Sequence, residues 1–229
     1  MVLSSLILIG DNEDKTISVF SIGTTPHGNG RVGSLKGGSY LYIRGSGFSS
    51  ASALHNSVKI GGHYDCKIIG KNFFNMVWPL EFLTTTTQIV CEVPPADEVD
   101  AEKGLEVRVF MGMLTASCEN CYFTYSYWYT PEIESVIPNA GNPGDAINFY
   151  GVQRVNSLED VDGLNIGEKR CSFIDIIEDE PFVIDAGSST FLPCTVPQSL
   201  EPGYYNVSER TNLYGYAVKR PSATVYHND

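Results

Sequence analysis

Cysteine is the residue type in this chain with the clearest chemical prospects. Its six copies fall as two wide pairs, Cys66 with Cys91 and Cys171 with Cys194, and one close pair in "CENC", Cys118 with Cys121. Thiolate coordination of zinc and disulfide formation are the two chemistries to weigh. A structural zinc site wants two close-spaced ligand pairs. Here one C-x-x-C stands alone, and His27, His55, His63 and His227 are scattered. Disulfides are the better reading, and they imply an oxidising, extracellular compartment.

Other reactive groups form no recognisable catalytic set. The sequence contains no nucleophile elbow, phosphate-binding loop or paired-histidine motif, so a non-enzymatic protein is expected. His63 lies in "GGHYD", which reads as a turn with a surface histidine. Acidic clusters occur at Asp11–Asp14, Asp97–Glu102, Glu159–Gly163 and Glu178–Glu180. The third, "EDVDG", has a fragment of a calcium loop but lacks the alternating carboxylates and the distant glutamate. Solvated turn carboxylates are the expectation, with calcium the alternative and no other cofactor implied. One glycosylation sequon stands at Asn206-Val207-Ser208. Thr84, Thr85, Thr86 and Thr87 form a hydroxyl-rich run that could carry O-linked sugar, or simply lead into the next strand. Aromatic residues crowd "CYFTYSYWYTP", where strand alternation would put Phe123, Tyr125, Tyr127 and Tyr129 on one face. Such a face can stack on sugar rings, but core packing and contact between domains are the preferred reading.

The elements that position these residues are strands. The chain has 229 residues, 42% of them apolar and 18% charged, which is a globular composition. A formal net charge of −12 disfavours nucleic-acid and anionic-membrane partners. Frequent Gly and Pro with many Tyr and Phe, and no apolar stripe of helical period, point to an all-β fold.

A duplication organises the chain. "VKIGGHYDC" (Val58 to Cys66) aligns with "LNIGEKRC" (Leu164 to Cys171), and "TTQIVCEVP" (Thr86 to Pro94) with "STFLPCTVP" (Ser189 to Pro197). The period of about a hundred residues means tandem domains rather than a solenoid. Each copy holds short segments of strand character, such as "SYLYIRG", with Tyr40 and Tyr42 alternating against Leu41 and Ile43, and "LEVRVF", with Leu105, Val107 and Val109 on one face. That is the pattern of an immunoglobulin-like sandwich. Cysteines about two dozen positions apart then fit bridges between neighbouring strands within one copy, Cys66 to Cys91 and Cys171 to Cys194, which leaves Cys118 to close on Cys121 across a turn. The expected organisation is an N-terminal apolar extension at 1–15, a first domain at 16–129 and a second at 130–229, joined by a short Pro-stiffened link at Thr130–Pro131 that favours a fixed angle.

At these residues the chain resembles the IPT/TIG family. "PEIESVIPNAGNPGDAINFYG" (Pro131 to Gly151) looks like that family's opening, and "ISVFSIGTTPHGNGRVGSLKGGSYLYIRGSGF" repeats it with a longer first loop. The "IGG…C" and "TTQIVCEVP" pieces match its middle strands and its disulfide. The resemblance covers about residues 16 to 228 and implies immunoglobulin-like sandwiches of an extracellular or cell-surface protein.

The opening "MVLSSLILIG" stands apart. Val2, Leu3, Leu6, Ile7, Leu8 and Ile9 make a run too short to span a bilayer, and no basic residue precedes Lys15 as a leader would require. Continuous aliphatics read as a strand buried on both faces. With both domains supplied with strands, this one is expected to pair with another subunit's sheet edge, giving head-to-tail self-association. The first expectation is therefore a secreted structural subunit of a filament or surface coat, and the alternative is a cell-surface adhesion or receptor-type module that binds a glycan or another extracellular protein.

Overall fold

The structure, a computed structural model, describes residues 16–49, 56–69, 84–152, 161–173, 189–219 and 224–227. Over these residues the chain is strand and turn, with a 3-10 turn at Glu98–Asp100. The first domain contains β1 (Ser18–Gly23), β2 (Val32–Gly33), β3 (Tyr40–Ser46), β4 (Asn56–Ile60), β5 (Tyr64–Ile68), β6 (Gln88–Glu92), β7 (Gly104–Met111), β8 (Leu114–Ala116) and β9 (Tyr122–Tyr125). The second contains β10 (Glu132–Ile137), β11 (Ala140–Gly141), β12 (Ala146–Val152), β13 (Val161–Ile166), β14 (Lys169–Arg170), β15 (Ser172–Phe173), β16 (Ser189–Thr195), β17 (Gly203–Thr211), β18 (Gly215–Tyr216), β19 (Val218–Lys219) and β20 (Thr224–His227).

Each domain is an immunoglobulin-like sandwich. In the first, β1-β3-β6-β5 form one layer and β4-β7-β9-β2 the other. Strand β5 joins the layers, because Tyr64–Cys66 pair with β4 while Lys67 and Ile68 pair with β6. The second domain makes the same crossing in two pieces, β14 on β13 and β15 on β16, on either side of Cys171. In both, a short strand runs parallel to the last one, β2 on β9 and β11 on β20.

Inward-facing aliphatics supply the driving force. Ile22, Leu41, Ile89, Val107 and Phe123 centre the first core, and Ile133, Ile147, Phe149, Leu164 and Leu192 the second. Disulfides Cys66–Cys91 and Cys171–Cys194, with Cα separations of 5.5 and 5.6 Å, tie each crossing to its neighbouring strand. Cys118–Cys121 closes a turn before β9, with a Cα separation of 5.3 Å.

Strand β3 departs from simple alternation. Leu41 and Ile43 enter the main core, yet Tyr40 and Tyr42 on the opposite face are also buried, in a small cluster with Val90. A half-buried strand was the expectation; on the outer face Arg210 of the second domain lies over the Tyr40 ring, and Ile69 of the first packs against the Tyr40, Tyr42 and Val90 cluster.

The duplication extends to an irregularity. Strands β1 and β3 shift register between Val19 and Ser21, and β10 and β12 shift between Ile133 and Ser135. Opposite each bulge sits a glycine, Gly45 or Gly151. A β-carbon on Gly45 would collide with the Ser18 carbonyl oxygen, and one on Gly151 with that of Glu132. Bulges of this kind bend a strand to wrap the core. Gly151→Ala is therefore expected to lower stability by about 1–3 kcal/mol. Gly104→Ala, whose β-carbon would find its nearest neighbour at 3.6 Å, is expected to stay within about 0.5 kcal/mol of the parent. Urea unfolding of the two variants measures the contrast.

Candidate functional site

The feature that most distinguishes this chain from two independent sandwiches is the joint between them. The β17–β18 hairpin of the second domain lies against the Ser34–Gly38 loop of the first, and Gly38 bridges Gly215 in antiparallel fashion. Main-chain Ser34 N donates to Tyr214 O at 2.7 Å, and Tyr216 N donates to Gly37 O at 2.8 Å. The Ser34 hydroxyl donates to Tyr216 O at 2.6 Å. Backbones approach this closely only where side chains are missing. A β-carbon on Gly215 would strike the Gly37 carbonyl, and one on Gly38 the Tyr216 ring. Both glycines also hold positive φ, 97° and 86°, where glycine carries no steric penalty.

Arg210 closes the joint from the second domain. Its Nε and Nη2 donate to Gly38 O at 3.0 and 2.7 Å, and its Nη1 lies 3.2 Å from Asp162 Oδ2. The guanidinium stands 4.4 Å from the Tyr40 ring centroid and 5.5 Å from that of Tyr216. Burial raises the Tyr40 phenol above its ordinary value although the Arg210 cation pulls it down, so the ring is a neutral face for the cation. Burial also works against the charge on Arg210, but a hydrogen bond to Tyr40 and the Asp162 carboxylate more than offset it and the guanidinium pKa is raised.

The connecting segment is fixed as well. Strand β9 ends at Tyr125, and the chain turns through Ser126–Thr130. Glu102 Oε1 accepts from Ser126 Oγ at 2.7 Å and from Tyr127 N at 2.8 Å. Thr130 Oγ1 donates to Ser126 O at 2.6 Å and accepts from Leu35 N at 3.0 Å. Beyond it, Pro131 O accepts from Val218 N at 2.8 Å, and the Tyr129 and Tyr214 rings meet across the joint at 4.9 Å.

Beside this segment both domains wall a cleft of about 340 Å³. Leu35 and Val218 line it together with Lys36, Glu98, Tyr127, Thr130 and Glu132. Tyr127 is 52% exposed, and neighbouring Trp128 is 65% exposed. Tyr127, Lys36, Glu98 and Glu132 among its described lining residues, set on a fixed frame, make this the candidate site.

The residues singled out from sequence fall in several places. Phe123 and Tyr125 are buried, but Tyr127 and Tyr129 do not continue their face, because the strand stops at Tyr125 and the Ser126 turn redirects the chain. Asn206 lies on the exposed outer face of β17, its Oδ1 accepting from Lys219 Nζ at 2.7 Å. Thr84 is buried, with Oγ1 donating to Ile69 O at 3.0 Å; Thr86 and Thr87 are exposed and Thr85 is partly so. Asp162 of "EDVDG" is engaged by Arg210. Among the described residues no three His, Cys, Asp or Glu side chains are grouped to hold a metal ion. Residues 2–9, including Val2, Leu3, Leu6, Ile7, Leu8 and Ile9, lie outside the described residues, as do Asp11–Asp14 and Glu178–Glu180.

His63 belongs to a surface cluster. Asp100 Oδ2 accepts from Tyr64 OH at 2.9 Å and lies 3.2 Å from His63 Nε2, and Asp100 Oδ1 lies 3.4 Å from Lys103 Nζ. The Tyr64 hydrogen bond, helped by Lys103 and His63, holds the Asp100 carboxyl below its ordinary range.

The residues that make the joint, Gly38, Arg210 and Gly215, were not apparent from the sequence. The repeat held a signal for two of them: in register, Arg210 and Gly215 take the places of Phe110 and Leu114 in the first copy.

Tandem immunoglobulin-like sandwiches with a locked joint are the class of protein this geometry defines. The IPT/TIG domain family model matches residues 30–125, so the first sandwich is an IPT/TIG domain, and the second repeats its strand order, bulge and disulfide. Similar solved structures include the extracellular region of plexin A4, domains 1 to 10, at 18% identity and a TM-score of 0.45, covering 90% of this chain and 16% of that one. The plexin A4 structure of domains 1 to 8 also matches at 18% identity, with a TM-score of 0.41 and coverage of 89% and 18%. A Bacteroides ovatus surface protein, SGBP-B in complex with a mixed-linkage heptasaccharide, matches at 14% identity and a TM-score of 0.30, with coverage of 86% and 43%. The chain thus spans less than a fifth of the plexin chains it resembles. No curated protein matches it.

Two outcomes follow from the geometry. Gly215→Ala is expected to push the hairpin off the Ser34–Gly38 loop, and Arg210→Ala to remove its charged closure at a cost of about 1.5–3 kcal/mol. Either variant broadens the distance distribution between spin labels placed on the two domains, whereas the parent gives a narrow one. The Asp100 cluster contributes to acid behaviour. A carboxyl with a depressed folded pKa stabilises the fold above its unfolded value of about 3.9, and that contribution is lost as pH falls through the folded pKa. Thermal midpoints measured downward from pH 5 should fall less steeply in Tyr64→Phe than in the parent.

Proposed function

We propose that this chain is a non-catalytic recognition module of an extracellular or cell-surface protein, binding a glycan or protein ligand. The observation that carries the reading is the joint. Main-chain hydrogen bonds, two glycines and Arg210 hold the sandwiches as one body, with a cleft walled by both. A binder whose surface is already ordered loses little conformational entropy on association. Three disulfides fit an oxidising exterior, and no helix among the described residues is long and apolar enough to cross a membrane. Asn206 and Thr86 and Thr87, exposed as they are, are proposed as the points where sugar could be attached to the module itself.

The filament reading depends on residues 2–9 and gains no support from the described part of the chain.

The test is the full chain, purified oxidised, applied to a glycan array and to whole cells with and without glycosidase treatment. Saturable binding with no turnover of the bound material is the expected result. Absence of binding to either, or release of product from an array sugar, would overturn the proposal.

A further inference from the structure

We infer that the cleft at the domain junction is a subsite for a neutral saccharide ring. This rests on the recognition reading above and gives it a location. Its volume of about 340 Å³ lies at the small end of the range of ligand pockets, roughly 300–1,000 Å³, which suits a monosaccharide-sized ring rather than a protein loop.

The lining chemistry matches such a ring part by part. A sugar presents an apolar face of C–H groups and a rim of hydroxyls. Tyr127, half exposed at the cleft, offers an aromatic face to the first. For the rim, Glu98 supplies acceptor oxygens, and Lys36 supplies donors. Thr130 plays a different part, because its hydroxyl already donates to Ser126 O and accepts from Leu35 N. It positions the turn that presents Tyr127. Main-chain Tyr127 N is held in turn by Glu102.

Charge selects among sugars. Among the described lining residues Glu98 and Glu132 are acidic and Lys36 is basic, on a chain whose formal net charge is −12. Uronic, sialic or sulfated rings are repelled there, whereas neutral hexoses and pentoses are not. The cleft draws Lys36 and Glu98 from the first domain and Glu132 and Val218 from the second, so the joint that fixes the domains also fixes the subsite.

The experiment is calorimetric titration of the full chain with neutral gluco-, manno-, galacto- and xylo-oligosaccharides and with uronic and sulfated counterparts. At least one neutral series is expected to bind, and the acidic counterparts are not. Tyr127→Ala should weaken the binding about tenfold or more, as truncating an anchoring aromatic does, and Glu98→Gln by several-fold. Both side chains are exposed, so an unchanged thermal midpoint verifies that each variant is folded. If a neutral sugar binds and both variants stay within about twofold of the parent, the cleft is not the site, and the recognition reading survives without it. Preference for the acidic series would overturn the charge argument and with it the subsite. Protein or cell binding without affinity for any sugar in the panel would overturn the subsite alone.

Discussion

Arg210 meets a demand that arises in the other domain. The Gly38 residue is buried where the two backbones touch, and a buried carbonyl without a hydrogen bond is costly. Arg210 gives it two donors, while Asp162 and the faces of Tyr40 and Tyr216 keep the guanidinium from being stranded away from water. Each half of the arrangement needs the other. The loop needs a donor that its own sandwich does not offer, and the arginine needs acceptors on both sides of the joint. Strand period makes this compatible with folding of the second domain, because Val207 points into its core while Arg210, three positions on, points out of it.

The two copies of the domain show why the joint has one direction. In the first copy, Phe110 and Leu114 hold the positions of Arg210 and Gly215. A leucine at the place where backbones must touch would hold the chains apart, and a phenylalanine has no donor for a carbonyl. Meanwhile the second copy retains a loop of the receiving kind. Gly144 N donates to Val196 O and Val196 N to Asp145 O, as Gly38 N donates to Val93 O and Val93 N to Ser39 O. Gly144 also holds φ at 88°, beside 86° for Gly38. Duplication therefore supplied one scaffold twice, and a few side chains turned one hairpin into the part that docks.

Much of this fold was written locally. The cysteine spacing and the inward Val107 and Val109 belong to one strand or one repeat, so alternation and duplication reveal them. What escaped depends on contacts far apart in sequence. Tyr40 and Tyr42 read as a solvent face because the group that covers Tyr40 arrives from the other domain. The aromatic run read as one strand because Tyr127 and Tyr129 keep the period, and the hydrogen bonds to Glu102 and from Thr130 show that the strand has already ended. The cleft was invisible for the same reason: its lining joins loop residues of the first domain to Glu132 and Val218, on strands of the second.

A site shared by two bodies ties ligand affinity to the geometry between them. If the domains swung freely, the competent arrangement of the cleft would be one among many, and apparent affinity would fall in proportion to its population. The joint removes that penalty before any ligand arrives. It also makes the coupling reciprocal, since whatever binds both walls adds its binding free energy to the stability of the joint. A flexible link between the same two sandwiches would preserve both cores, both disulfides and the aromatic side chains, and would still lose the site. On the recognition proposed for the cleft, the two glycines and one arginine at the joint matter as much as Tyr127.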